Sequence, residues 1–457
     1  MKDSIDFGSM NISTLFRKLL IPTVLGMVFS ALFVITDGIF VGKGIGSDAL
    51  AAVNITAPLF MIAVGIGLMF GVGASVVASI HLSQGKRKVA SINITQAIAF
   101  SALLILILSA LCLYFIEPLA RLLGSSDRLL PLAVEYMAWY IPFLVFYEVL
   151  NIGMFCIRLD GSPTYAMMCN AVAAILNIIL DYIFIFELGW GIMGAAFATS
   201  LGTVVGGLMT LIYLLRFSRT LHLCRIKLSI KSLLLTLRNI GYMIKLGSSA
   251  FISEASIACM MFLGNYVFIR HLGEDGVAAF SIACYFFPII FMVYNAIAQS
   301  AQPIISYNFG ARKFDRVKKT YRLTISFTFA VSTIFCLLTV FCPGMFAGIF
   351  TSDPELLALV KKVMPIFMAG IAIFGIQMGC QTTFMGLGQA KISLFIALLR
   401  KVILLIPLAL ILPKFFGVMG IYYAEPISDI TAATTAFTIF LCVRKKIVSE
   451  EALSRLG

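Results

Sequence analysis

The stretches "IGSDALAAVNIT" (45–56) and "LGEDGVAAFSIA" (272–283) follow one pattern, and the second begins 227 residues after the first. They share a Gly, an Asp, an Ala-Ala pair and an Ile in register. Near the same spacing, "FGARKFDRV" (309–317) matches "QGKRKVASI" (84–92), and "GVMGIYYAE" (417–425) matches "GIMGAAFAT" (191–199). Matches that recur in the same order at one spacing predict a chain built from two similar halves.

Both halves are apolar enough to lie in a membrane. Of the 457 residues, 61% are hydrophobic and 12% are charged, and the mean hydropathy is +1.03. A soluble core cannot bury so much apolar surface, whereas runs of about 20 apolar residues span a bilayer as helices. The sequence therefore predicts an all-α integral membrane protein with twelve transmembrane helices. They are expected near residues 15–41, 50–81, 92–116, 132–157, 163–186, 191–217, 241–269, 278–306, 321–350, 358–386, 391–413 and 417–443.

The even helix count fixes how the halves are related. Each six-helix half enters and leaves on the same side, so the repeats are parallel, related by an axis along the membrane normal. Lys and Arg concentrate in connections on the side of the termini, such as "GKRK" (85–88) and "GARKFDRVKK" (310–319). By the positive-inside rule, both termini are predicted to be cytoplasmic. This placement also explains the net charge of +13 without a nucleic-acid partner.

We expect two six-helix bundles around a central cavity, which is the usual architecture of an alternating-access carrier. The predicted domains are an N-terminal lobe (1–220), a basic cytoplasmic linker (221–238), a C-terminal lobe (239–444) and a cytoplasmic tail (445–457). No Walker A, H-E-x-x-H or G-x-S-x-G sequence occurs, and the ten cysteines are scattered. The sequence therefore predicts neither an enzyme nor a bound cofactor.

Six acidic residues fall inside the predicted helices, where one charge costs about 2.5–3.5 kcal/mol near the bilayer centre on insertion scales. They are Asp37, Glu148, Asp181, Glu254, Glu425 and Asp429. For each, a structural hydrogen bond or a misplaced helix end is the alternative to a functional role. Glu148 and Asp429 are equally compatible with either interpretation.

Asp181 is distinguished by Asn177, which precedes it by one helical turn in "ILNIILDYIFIF" (175–186) and shares its helix face. The repeat provides an internal control, because the second half lacks polar residues at the matching positions. Asn177, Asp181 and Asp37 correspond there to Leu404, Leu408 and Gly264. Helix packing as such does not demand polarity at these positions, which favours a functional role.

The position of Thr199 corresponds to Glu425 in the second half, so the two halves carry different chemistry. Two carboxylates, an amide and a hydroxyl can hold a hard monovalent cation such as Na⁺ by oxygen ligation. Alternatively, two carboxylates in a low dielectric cannot both ionise easily, so the pair can carry a proton. Both chemistries predict a site that responds to an ion gradient.

The abundant Met and Phe residues, 21 and 39 in number, favour a cavity for bulky, cationic or amphiphilic small molecules.

These features resemble the multidrug and toxic compound extrusion (MATE) exporters, most of all prokaryotic DinF-like and MepA-like members. The resemblance covers nearly the whole chain. It rests on the twelve runs and on "TDGIFVGKGIGSDALAAVNITAPL" (36–59), "RLDGSPTYAMMCNAVAAILNIILDYIFIF" (158–186), "GIMGAAFATS" (191–200) and "AQPIISYNFGARK" (301–313). It implies a monomer in the prokaryotic plasma membrane.

In DinF-like members, the resemblance implies a first-half cation site at Asp37, Asn177, Asp181 and Thr199. Supporting residues of that half match Tyr136 and Asn151, and a first-helix hinge proline matches Pro22. Other members use acids of the second half, where Glu254 matches but the tenth helix offers only Gln377 and Gln381. Together with Glu425, these three are the candidates for second-lobe coupling or substrate contact.

The sequence thus predicts a Na⁺- or H⁺-coupled antiporter that exports amphipathic, cationic small molecules from the cytoplasm. The alternative is a flippase for a lipid-linked oligosaccharide or another lipid of the same broad superfamily. Such proteins have cationic cavities, and Arg400 and Lys401 in the eleventh run keep this alternative open.

Overall fold

The computed structural model of the chain describes residues 5–226, 229–344 and 354–454, and within these ranges it omits the side chains of 256–289, 355–357, 359, 418 and 421. The chain divides into two compact units, Met1–Glu254 and Ala255–Gly457. In the described residues, every regular element is helical. The all-α prediction is confirmed.

The first unit contains eight helices before the inter-lobe connection. They are α1 (Ile12–Gly44), α2 (Ser47–Ser83), α3 (Arg87–Tyr114), α4 (Ile116–Leu122), α5 (Leu130–Tyr140), α6 (Leu144–Leu159), α7 (Pro163–Asp181) and α8 (Gly191–Ile212). A 3₁₀ turn joins α5 to α6, and wider π-helical turns, Tyr182–Glu187 and Tyr213–Phe217, extend α7 and α8. Inside α1, Pro22 cannot donate a backbone hydrogen bond.

One helical element, α9 (Ile230–Gly310), begins in the first unit and ends in the second. The sequence predicts a loop near residues 270–277 between two spans, but the backbone stays helical there. This stretch contains glycines and no proline. Glycine lowers the helix propensity of the stretch, but every residue keeps the backbone N–H that a helical hydrogen bond needs. The later helices are Phe314–Phe341, Pro354–Phe367, Ile371–Gly386, Ala390–Leu398, Ile406–Phe416, Val418–Ile447 and Glu450–Ser454.

Ten helical stretches of the described residues are long and apolar enough to span a membrane, six of them before residue 218 and four after residue 313. The 81 residues of α9 are long enough for the two remaining predicted spans. The twelve-helix prediction is therefore confirmed, and the chain is a multi-pass membrane protein.

The connection after α8 is attached to the first unit by one carboxylate. Asp160 Oδ1 accepts hydrogen bonds from Thr220 N (2.8 Å), Thr220 Oγ1 (2.7 Å) and Leu221 N (3.1 Å). Its Oδ2 accepts from Tyr213 Oη (2.8 Å) and Arg219 N (2.7 Å). Asp160 and these four residues form what we call the Asp160 clamp. Five donors on one buried carboxylate hold the chain firmly where it leaves α8.

The end of the predicted linker also packs on α3. Gln96 Nε2 donates to Thr236 Oγ1 (2.8 Å), and Asn239 Nδ2 donates to Gln96 Oε1 (3.0 Å). Both ends of this connection therefore bind the first unit. The domain boundaries at 220 and 239 remain predictions.

The beginning of α9 lies directly against the backbone of α2. A Cβ atom added at Gly247 would lie 1.9 Å from Met69 O, and one added at Gly73 would lie 2.2 Å from Met243 O. Small residues that allow two helix backbones to touch are a common means of packing in membranes. Residues 243–247 of α9 are thereby held against α2.

We expect Gly247→Ala to destabilise the folded protein by about 1–3 kcal/mol, because the methyl group forces the two backbones apart. Gly241 lies on the same helix with no atom within 4 Å of an added Cβ, so Gly241→Ala is the matched control. Thermal unfolding of both purified variants in detergent would check this. Equal midpoints for the two variants would contradict the close packing.

Candidate functional site

The packing of the first unit brings the predicted cation-site residues together. Helix α1 packs along α7, and α7 packs along α8. Asp37 on α1, Asn177 and Asp181 on α7, and Thr199 on α8 are all buried, and Asn177 and Asp181 are 0% exposed. We call these four residues the acid cluster.

Glycine in α8 makes the close approach of α7 possible. A Cβ atom at Gly202 would lie 2.7 Å from Ala173 O and 3.2 Å from Asn177 Cβ. The absence of a side chain at Gly202 therefore sets the distance between α7 and α8 beside Asn177. Thr199 precedes it by one turn on the same helix and meets Asn177 directly.

The acid cluster contains more acceptors than donors. Asn177 Nδ2 donates to Thr199 Oγ1 (3.3 Å). The side chains of Asp37 and Asp181 lie within electrostatic range of each other. In the described part of the chain, no donor reaches Asp37 Oδ1, Asn177 Oδ1 or either carboxylate oxygen of Asp181. Four buried oxygens without donors favour the binding of a proton or a cation between them.

Tyr136 lies near the acid cluster. It is buried on α5, close to Thr199 and within electrostatic range of both aspartates. Asn151 is placed differently, on α6, where its Nδ2 donates to Tyr147 O (3.2 Å) and its Cβ faces Gly67 of α2. The roles of Tyr136, Asn151 and the hinge residue Pro22 remain predictions.

A change of helix type directly follows Asp181. Residues Tyr182–Glu187 form a π-helical turn, and beyond it Trp190 N donates to Phe184 O (2.8 Å). Such turns are rare and occur frequently at functional sites. Sequence reasoning did not identify this turn, because the aromatic and β-branched residues of "YIFIF" are equally compatible with an α-helix.

In the second unit, Glu425 belongs to a buried salt-bridge network. Its Oε1 lies 2.9 Å from Arg400 Nη2 and 3.1 Å from Lys401 Nζ. Arg400 Nε also pairs with Asp429 Oδ1. Arg400, Lys401, Glu425 and Asp429 thus offset one another's charges, so the position that corresponds to Thr199 is occupied by an ion-paired acid.

Arg400 lies in a π-helical segment, Leu399–Leu405. Ser428 Oγ donates to Arg400 O (2.6 Å), which satisfies a carbonyl within the widened helix. The guanidinium carbon lies 3.9 Å from the ring centre of Phe374 and 5.5 Å from that of Phe291. Ion pairs and aromatic faces together hold this buried cation.

The remaining second-half candidates belong to different units. Glu254 ends the first unit, where its Cβ would lie 3.6 Å from a Cβ added at Gly65. Gln377 is buried on Ile371–Gly386, and its Oε1 has no hydrogen-bond partner among the described residues. Gln381 is buried one turn later. Any function of these residues in coupling or substrate contact remains a prediction.

The acid cluster has the oxygen ligands that a hard monovalent cation or a proton needs. No group of three or more His, Cys, Asp or Glu residues in the described ranges could hold a metal ion. The cluster offers instead two carboxylates, an amide oxygen and a hydroxyl. Oxygen ligands of this kind suit Na⁺, whereas soft transition metals prefer sulfur and imidazole.

Comparison with known proteins identifies the family. The MatE family model matches residues 22–183 and again residues 249–411. The second match begins 227 residues after the first, so it independently confirms the internal repeat.

Relatives match over nearly the full chain. An FAD transporter of Shewanella oneidensis is 28% identical over 94% of both chains. The multidrug export protein MepA is 25% identical in Staphylococcus haemolyticus, over 96% of both chains, and 26% identical in Staphylococcus aureus, over 93% of both.

Solved structures share the fold. A MOP superfamily transporter from Pyrococcus furiosus superposes with a TM-score of 0.86 at 24% identity, covering 97% of each chain. The Vibrio cholerae MATE transporter VcmN superposes with a TM-score of 0.87 at 21% identity, covering 96% of this chain and 98% of its own. The two matched halves, the twelve spans and the full-length relatives lead to one conclusion: the chain is a transporter of the MATE family.

Proposed function

We propose that this transporter is a cation-coupled antiporter, which exports amphipathic, cationic small molecules from the cytoplasm by alternating access. The observation that carries the proposal is the acid cluster, in which Asp37 and Asp181 meet inside the membrane with unpaired oxygens. A Na⁺ ion or a proton would relieve this repulsion. Because such an ion enters from one side of the membrane, its binding free energy can drive a conformational change.

The proposed cycle begins when Na⁺ or H⁺ occupies the acid cluster from outside. Helix α1 bends near Pro22, where the missing backbone donor weakens the helix, and substrate leaves outward. Return to the inward-facing state releases the ion into the cytoplasm. The MepA relatives, which are multidrug export proteins, support a drug as the substrate. Cytoplasmic termini, the plasma membrane location and the monomeric state belong to the same proposal.

A second candidate substrate class is the anionic dinucleotide, because one relative over 94% of the chain is an FAD transporter. The lipid flippase has less support. Its strongest sequence argument is the cationic pair Arg400 and Lys401, but both are ion-paired with Glu425, and Arg400 is also paired with Asp429. Their charges are therefore not free to attract a pyrophosphate lipid.

Transport in proteoliposomes tests this function. The purified protein is reconstituted, and the movement of a fluorescent organic cation is followed while Na⁺ and pH gradients are imposed separately. We expect at least one gradient to drive cation transport, with FAD tested in parallel. Transport of FAD without the organic cation would favour the second candidate. Transport that neither gradient accelerates would overturn antiport.

A further inference from the structure

Helix α6 carries an acid that the acid cluster does not use. Glu148 is 0% exposed, and neither of its carboxylate oxygens has a hydrogen-bond partner in the parts of the chain that the structure describes. It lies on a different helix from the members of the acid cluster. A buried carboxylate without donors is strongly destabilised when it is ionised.

The backbone of α2 covers this carboxylate. A Cβ atom at Gly67 would lie 3.1 Å from Glu148 Oε2 and 3.0 Å from Asn151 Cβ. Asn151 Nδ2 donates one hydrogen bond to Tyr147 O, and its amide does not reach either Glu148 oxygen. The space between Glu148 and α2 is therefore too small for a hydrated ion, while a proton needs no additional room.

Titratable groups lie near Glu148. Tyr147, on the same helix, lies within electrostatic range of both Glu148 and Glu254. Helix α2 presents Gly67 to the Glu148 carboxylate. No hydrogen-bonded cation of the described residues reaches either Glu148 oxygen.

Three tyrosines connect this region to the acid cluster. The rings of Tyr136 and Tyr140 stack with their centres 5.8 Å apart. Tyr140 lies within electrostatic range of Tyr136, Tyr147 and Asp37, and its hydroxyl has no partner among the described residues. The ring of Phe60 packs between Tyr140 and Tyr147, at 6.0 Å and 4.9 Å. Tyr136 is thus close to the acid cluster and Tyr147 is close to Glu148, with Tyr140 and the ring of Phe60 between them.

We propose that Glu148 is a second proton-binding site of the first unit, which is loaded and unloaded during transport. This inference rests on the proposed antiport. On unloading, the O–H bond of Glu148 breaks, leaving the carboxylate, and water takes up the proton.

Proton release on substrate binding tests the proposal. The purified protein is placed in weak buffer with a pH indicator, and a fluorescent organic cation is added. We expect Glu148→Gln to bind the cation but to lose part of the wild-type proton release. Glu117→Gln, at an exposed position of α4, is the matched control and should release as many protons as the wild type. Wild-type release from Glu148→Gln would overturn the proposal.

Infrared spectroscopy provides a readout that a purely structural role would not change. A protonated carboxyl band that titrates with pH should lose intensity in Glu148→Gln. If that variant does not insert, the variant Asp37→Asn, Asp181→Asn, Glu254→Gln retains Glu148 and should keep a titrating band. Loss of this band would overturn the proposal.

Absence of ion-driven transport in the wild type would overturn antiport itself. Ion-driven transport together with wild-type proton release from the Glu148→Gln variant would overturn only this inference.

Discussion

Asp181→Asn should strongly reduce ion-driven export while the protein still inserts and folds. Asparagine has nearly the same shape as aspartate, so the packing of α1, α7 and α8 is preserved. The variant removes a negative charge from the acid cluster, where both Asp181 oxygens lack a donor in the described residues. Without that charge, a cation or proton loses its main partner. Coupling free energies of about 1–3 kcal/mol predict a loss of about 5–150-fold in gradient-driven transport.

Asp37→Asn should show the same loss, because in the proposed site both carboxylates bind the same ion. Asp127→Asn is the control, since Asp127 is 88% exposed in a loop and pairs with Arg121 on the surface. Transport in proteoliposomes and drug resistance of expressing cells are the two measurements. Full resistance in Asp37→Asn and Asp181→Asn cells at normal expression would disprove the assignment of the acid cluster as the coupling site.

Arg400→Met should destabilise the second unit by about 3–5 kcal/mol, because it leaves two buried acids with fewer partners. Asp429 then loses the cation that contacts its Oδ1, while Glu425 keeps only Lys401. The arginine also stacks on Phe374, so its removal costs packing in addition to charge. Thermal unfolding of the purified protein in detergent should show a large decrease in the midpoint.

A compensated variant separates charge from packing. Arg400→Met combined with Asp429→Asn leaves Lys401 and Glu425 as a single ion pair, and we expect it to recover much of the lost stability. Arg121→Met removes an exposed pair with Asp127 and should change stability by about 0–1 kcal/mol. If Arg400→Met unfolds at the same temperature as Arg121→Met, the network does not stabilise the fold.

Much of the fold could be predicted from the sequence, because apolar runs of bilayer length leave the backbone few alternatives to a helix. The acid cluster was also accessible, since Asn177 and Asp181 share a helix face and the repeat replaces them with leucines. The partners of Arg400 could not be predicted from the sequence. Arg400 and Asp429 are separated by 29 residues, and their meeting depends on a π-helical segment that residue periodicity does not reveal.

Glu254 illustrates a different limit. Its place in the repeat and the basic composition of the preceding connection assign it to the second lobe. In the structure, Glu254 lies beside Gly65, and glycine contacts hold the beginning of α9 against α2. Glycine spacing allows such an approach but does not specify the partner helix, so only tertiary contacts show which residues Glu254 meets.

The attachment of residues 219–239 to the first unit has a practical consequence for dividing this protein into two co-expressed polypeptides. A break after residue 220, although it lies in an apparent linker, would separate the Asp160 carboxylate from Leu221 and Gln96 from Thr236 and Asn239. The N-terminal fragment would then lose the internal hydrogen bonds that hold its end. For segmental isotope labelling, a first fragment that continues through residue 240 would retain every one of these partners and would end before the predicted span 241–269.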